Sequence, residues 1–329
     1  MFWPEKPSQM TKPKLHQRLY QGDEDLKVMV TLLTCSRPRE WINEYPNPRE
    51  LREALNTEVI QENTRLWFDD QGALVAFAFV DPHHILRLEV APQAWGGGLE
   101  AALVDWGEAC VRRMAAAQET GAHTRLNLQA SCHPDDAQRQ AFLAKWGFQR
   151  TPIETIYMRR PLEEPIPNPE IPSGFTIRPL EGHSEVAALV ALHCAAFGAG
   201  HMTEEERWTI MSEPEYDPEL DLVAISPGGD LAAYCSWYIS QEENVLTGLQ
   251  VGYSDLIATH PDYRRHGLAR ALLRTGLSLL HARGMKEASL NTRSDNLAML
   301  AAASSVGFIE TRRKSWYIRP VGPPGNTNT

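Results

Sequence analysis

The chain has 329 residues, 43% hydrophobic and 22% charged, an ordinary globular composition with length enough for two domains of about 150 residues each. Its formal net charge of −10 argues against binding a nucleic-acid backbone through bulk electrostatics and mildly favours a cationic small molecule. Five cysteines without CxxC or metal-like spacing read as reduced thiols, the start lacks a signal-peptide pattern, and no apolar run approaches the roughly 20 residues that span a bilayer, so a cytoplasmic protein is expected.

In chain order, residues 18–22, followed by Leu26 and Met29, read as a short strand turning into an amphipathic helix. A hairpin strand follows at 72–79, after a Gly-containing turn. A strand at 86–90 runs into Pro92 and a Gly-bearing loop, and a long helix covers 99–117. Next come a strand at 125–130, a shorter helix ending in Trp146, Gly147 and Phe148, and a last strand around 156–158. Pro161, Pro165, Pro167, Pro169 and Pro172 then punctuate an acidic stretch that reads as a semi-rigid linker, because proline tolerates neither a helix interior nor a central strand.

Beyond the linker the order returns. Residues 178–182 with Val186 and Leu189 repeat the first strand and helix, and 230–237 repeat the hairpin strand. A strand at 256–259 runs into Pro261, a helix covers 268–283, and a strand covers 287–292. A helix ending in Val306, Gly307 and Phe308 precedes a last strand around 316–318. The repeat is a domain long, which points to a duplication and not to a solenoid. The boundaries read from it are a first domain at 1–160, the linker at 161–173, a second domain at 174–320 and a frayed tail at 321–329.

The run from Thr259 through His260, Pro261, Asp262, Tyr263, Arg264, Arg265, His266, Gly267, Leu268 and Ala269 fits a strand, a loop and the start of a long helix. A helix start offers unpaired N–H groups and the positive end of its dipole, which suits a diphosphate. Gly267 lets the backbone turn close to a ligand, Ala269 avoids crowding it, and Arg264 and Arg265 add positive charge at the mouth. Alone, this R-x-x-G-x-A pattern is weak. Its setting is not: Arg264, Gly267 and Ala269 are followed by a helix, a strand, Asn296 and the pair Gly307 and Phe308.

Over residues 175–319, and most closely over 255–308, the sequence resembles the GNAT superfamily of N-acetyltransferases. The first half resembles a second GNAT domain, as in tandem-GNAT proteins. The resemblance implies an α/β (α+β) fold of two GNAT-like domains, each a mixed, twisted sheet flanked by helices. It implies acetyl-CoA as co-substrate, no metal, and direct attack by the amine of a small-molecule acceptor. Backbone amides of Arg265, His266, Gly267, Leu268 and Ala269 then hold the pyrophosphate, while Ile257, Ala258 and Thr259 pair with the pantetheine arm and polarise the thioester carbonyl. Asn296 reaches the pantetheine across the splay between the central strands, or caps the helix at Leu297, or does both.

Attack requires a neutral amine, so a carboxylate or an ordered water takes the proton. Asp255, four residues before Thr259, is the expected base, with His260 as competitor. Many family members carry a general-acid Tyr four residues before the Gly-Phe pair. Here Ala303 stands at that place, leaving Ser304, Tyr317 or water to protonate the thiolate.

The first copy departs from the motif. Aligning Pro92 with Pro261 sets Trp95 at the place of Arg264 and Glu100 at that of Ala269, while Gly98 still matches Gly267. A carboxylate on that helical turn repels a diphosphate, so a structural or acceptor-shaping role is expected, although Gly96, Gly97 and Gly98 leave binding open. The acidic run from Glu204 to Asp221 reads as a solvated face or as the border of a cationic acceptor site. Trp208, Trp237 and Trp316 are core residues or the lining of one pocket. Two other functions remain open on sequence alone: a non-catalytic coenzyme sensor or scaffold, and a protein-amine acetyltransferase. Oligomeric state is not legible.

Overall fold

The computed structural model describes residues 15–44, 46–117, 125–198 and 202–322. Most of the proposed tail at 321–329 lies outside the described residues. The chain divides into two compact units, Met1–Pro152 with Ser315–Thr329, and Ile153–Lys314.

The first unit runs β1 (His16–Leu19), α1 (Asp23–Ser36), α2 (Pro48–Leu55), α3 (Glu58–Glu62), β2 (Thr64–Phe68), β3 (Leu74–Val80), β4 (Leu86–Val90), α4 (Leu99–Ala117), β5 (Asn127–Cys132) and α5 (Ala137–Lys145). Strands β1 to β4 pair in sequence, all antiparallel. Strand β3 is nearly all apolar (Leu, Val, Ala, Phe) and is buried on both faces, as a central strand between helices must be. Strand β6 (Gln149–Pro161) carries the chain from this unit into the next.

The second unit continues with β7 (Thr176–Pro179), α6 (Val186–Phe197), α7 (Glu204–Met211), β8 (Asp221–Ile225), β9 (Leu231–Tyr238), α8 (Gln241–Thr247), β10 (Val251–Thr259), α9 (Leu268–Ala282), β11 (Glu287–Arg293) and α10 (Leu297–Ser305). Strand β12 (Ile309–Pro320) returns the chain to the first unit. The sheet of the second unit is mixed: β7, β8, β9 and β10 pair antiparallel in sequence, β10 pairs parallel with β11, and β11 pairs antiparallel with residues 155–161 of β6.

The last strands therefore do not follow the linear boundaries. Residues 155–160, read as part of the first domain, pair with β11 of the second unit. Residues 315–320, read as part of the second domain, pair with β5 of the first unit. Ladder hydrogen bonds, not chain proximity, decide with which strands a segment pairs.

Small residues set the central spacing of the second unit. Helix α9 turns Leu268, Ala271, Leu272, Gly276, Leu277 and Leu280 inward at helical periodicity. A Cβ on Gly276 would lie 2.0 Å from Trp237 Nε1, so only glycine lets the helix sit this close to β9. The duplication is also visible in side-chain chemistry. Arg18 clamps Asp25, and Arg178 clamps Glu185 at the same spacing, each carboxylate also accepting a backbone N–H four residues upstream.

Candidate active site

Parallel pairing of β10 with β11 covers only Val251 to Tyr253 against Glu287 to Ser289. Beyond that point Ile257, Ala258 and Thr259 stay paired with Cys235, Tyr234 and Ala233 of β9, while their other edge has no strand partner among the described residues. A cleft of about 890 Å³ opens at this splay. Its lining includes Ile257, Ala258 and Thr259, then Arg264, Arg265, His266, Gly267, Leu268 and Ala269, and also Asn296. Every residue expected from the sequence to contact the coenzyme thus meets the others on one surface.

The turn into α9 is shaped for an anion. Arg264 is extended, Arg265 has φ 68°, and Gly267 has φ 84°. Arg265 is one of two non-glycine residues with positive φ among those described, a conformation that costs roughly 1–2 kcal/mol. Left-handed residues in such a turn aim successive N–H groups toward one point. Among the described residues, no acceptor meets the N–H groups of Arg265 through Arg270, while the amide of Ala271 begins the helical ladder at the Gly267 carbonyl. The Arg264 guanidinium reaches back to the Ala196 carbonyl (3.3 Å) and ties the cradle to the last turn of α6.

Asn296 caps α10, its Oδ1 accepting from Met299 N at 3.2 Å, and it also lines the cleft, so both sequence readings describe one residue. Asp255 is exposed within a β-bulge, where the register between β10 and β9 slips between Ser254 and Ile257. It lies on the cleft-lining strand β10 but is not among the lining residues. Burial, with the charge of Asp255 added, holds the Tyr234 phenol above its ordinary range, so that it stays protonated and bonds His193 Nδ1 at 2.6 Å. His260 Nδ1 accepts the amide of Asp262 at 3.3 Å, a local turn contact, and His260 does not line the cleft.

The general-acid positions come out differently from the linear count. Ala303 is fully buried in the second core and does not face the cleft. Helix α10 presents Ala298, Met299, Ala301, Ala302 and Ser305 there instead, grouped at helical spacing. Ser304 is not among them. Tyr317 belongs to the first unit, where it pairs with Ala130, packs on the first core, and has its pKa raised chiefly by burial. Ala196, Phe197 and Arg270 line the cleft without any sequence signal having marked them.

Much of the acidic run has structural partners. Glu206 completes a capping box with Thr203, Asp217 pairs with Arg283 (2.8 Å), and Asp221 is buried against Arg207 and Tyr216. The three tryptophans are also dispersed. Trp237 is core, Trp208 is exposed, and Trp316 lies under Arg87 in the first unit.

The first unit repeats the turn and fills it. Trp95 is extended, and Gly96 and Gly98 have φ 85° and 92°, matching Arg264, Arg265 and Gly267. Gly96 N donates to Glu100 Oε1 at 2.6 Å. Trp95 packs edge-on against Phe142, which stands where α10 has Ala302 (ring centroids 5.6 Å apart). Arg139 donates to the Leu88 carbonyl (3.3 Å) and, with Arg37, holds the buried Glu89.

Residues 187–308 match the family model described as "Acetyltransferase (GNAT) family". The chain carries that family match within its second unit, and it is an acyltransferase. A "Mycothiol acetyltransferase" of Thermobispora bispora is 29% identical over 252 residues, covering 73% of this chain and 78% of that protein. In fold, the whole chain is similar to a GCN5-related N-acetyltransferase from Sphaerobacter thermophilus, with TM-score 0.71, 20% identity and coverage of 94% and 96% of the two chains. It is also similar to a tandem GNAT protein from the clavulanic acid biosynthesis pathway, with TM-score 0.68, 17% identity and coverage of 95% and 100%. No described helix is long and apolar enough to cross a membrane.

Proposed function

We propose that the cleft of the second unit binds acetyl-CoA and transfers its acetyl group to the amine of a small molecule. The observation that carries this reading is the row of N–H groups from Arg265 through Arg270 without acceptors, set at the mouth of the β10–β11 splay. Those amides hold the pyrophosphate, the free edge of Ile257 to Thr259 pairs with the pantetheine arm, and Asn296 flanks it. A strand N–H polarises the thioester carbonyl, and Asp255 takes the proton of the attacking amine directly or through one water. The amine nitrogen bonds to the carbonyl carbon, the carbon–sulfur bond breaks, and water protonates the thiolate, whose ordinary pKa of about 8.5 makes a dedicated acid dispensable.

We assign the acceptor to the small molecules. The relatives named for mycothiol make mycothiol-type compounds the first to try, with polyamines and aminoglycosides after them. The domain reading follows from the same comparison of turns: the second copy works, and the first is a degenerate GNAT domain.

Titration calorimetry with acetyl-CoA on the full chain, followed by thiol release over those amines, tests the proposal. Saturable binding that Gly267→Trp abolishes is expected. Absence of binding by the wild type would remove the central claim, and binding without release on any amine would favour the sensor.

A further inference from the structure

The proline-rich segment before β7 is a strap clamped to the second unit. Leu162 is buried in the second core, and its N–H donates to the Lys286 carbonyl (2.8 Å). Arg160 reaches the Pro165 carbonyl at 3.0 Å, and Arg274 of α9 reaches the Asn168 carbonyl at 3.4 Å. The strap ends beside the cleft. Glu170 pairs with Arg274 at 3.1 Å and approaches Arg270 Nη2 to 3.7 Å. Arg270 lines the cleft one residue past the anion turn, and the same Nη2 lies 3.6 Å from where a Cβ on Gly267 would stand. One guanidinium nitrogen therefore lies between a strap carboxylate and the row of open amides.

We propose that Glu170 is the resident counter-charge of Arg270, displaced when coenzyme phosphates enter, and that this strap carboxylate thereby sets donor affinity. The inference rests on the acetyl-CoA reading of the cleft. Arg270 is 44% and Glu170 71% exposed, and an exposed pair at this distance is weak and screened by salt. A phosphate is a stronger partner for a guanidinium than a solvated carboxylate and takes it over. Until it does, Glu170 costs affinity by occupying Arg270.

The test is calorimetry with acetyl-CoA on the full chain. Glu170→Gln should tighten binding about threefold at low ionic strength, with the gain shrinking as salt rises. In an Arg270→Ala background the gain should vanish. Glu163→Gln removes the same charge from the same strap, where it faces Lys286 instead, and should leave affinity unchanged. Unchanged or weaker binding by Glu170→Gln overturns the proposal, as does an equal gain from Glu163→Gln or a gain that persists without Arg270. Failure of the wild type to bind acetyl-CoA is a separate result, seen before any variant is compared, and it would sink the donor reading along with this one.

Discussion

The amide of Gly96 donates to the carboxylate of Glu100 at 2.6 Å, closing on itself the turn that at Arg265 stands open. The two turns share their backbone conformation, so one shape has been kept twice and used in two ways. In the first unit a side-chain carboxylate accepts from the turn, Trp95 packs against Phe142 beside it, and Arg139 takes a carbonyl of the corresponding strand. Calorimetry should therefore return one acetyl-CoA per chain. Glu100→Ala should cost about 1 kcal/mol of stability in the first unit, since it removes a carboxylate from a helix N-terminus. A stoichiometry of two would contradict this account.

Asp255 and Tyr317 have separable expectations. Asp255→Asn should lower turnover roughly 10²-fold while acetyl-CoA affinity stays within about twofold, because loss of a base removes proton transfer and not the cradle. Tyr317→Phe should leave turnover within about twofold, since Tyr317 packs on the core of the first unit and is not a lining residue. A tenfold loss in steady-state rate on Tyr317→Phe would reinstate it as general acid.

Gly276→Ala should destabilise the second unit by about 2 kcal/mol, because the new Cβ meets the buried indole of Trp237 and α9 must lift from β9. In thermal unfolding this corresponds to a loss of roughly 5 °C. A variant as stable as wild type would show that α9 and β9 are not in contact at this depth.

Acid should weaken the first unit through Asp25. The hydrogen bonds from Arg18 hold its carboxyl below the usual carboxylate range, against an opposing effect of burial. A depressed pKa stabilises the fold above the unfolded value of about 3.9, and that stability is lost as pH falls through the folded value. Asp25→Asn should therefore cost about 1 kcal/mol at neutral pH. The gap between variant and wild type should narrow below about pH 4. Melting temperatures from pH 7 down to pH 3 would show it, and a constant gap would count against the linkage.

The order of elements, the duplication and the glycine turn into α9 were legible in the sequence because each rests on short-range chemistry. Helical and strand periodicity, proline punctuation and one glycine at positive φ are written into neighbouring residues. The lining of the cleft was readable for the same reason, since Ile257 to Thr259 and Arg264 to Ala269 are near neighbours in the chain and Asn296 caps the next helix. What lay outside that reach was decided by packing. Hydrogen-bond ladders chose the strand partners of residues 155–160 and 315–320, and so placed Tyr317 in the first unit. The rotation of α10 turned Ala303 inward and Ser305 toward the cleft. Side chains from distant positions, Arg139 in one unit and Glu170 in the other, came to rest beside strands and turns with which they share no local pattern. A sequence specifies which backbone groups want partners; only the tertiary structure decides who supplies them.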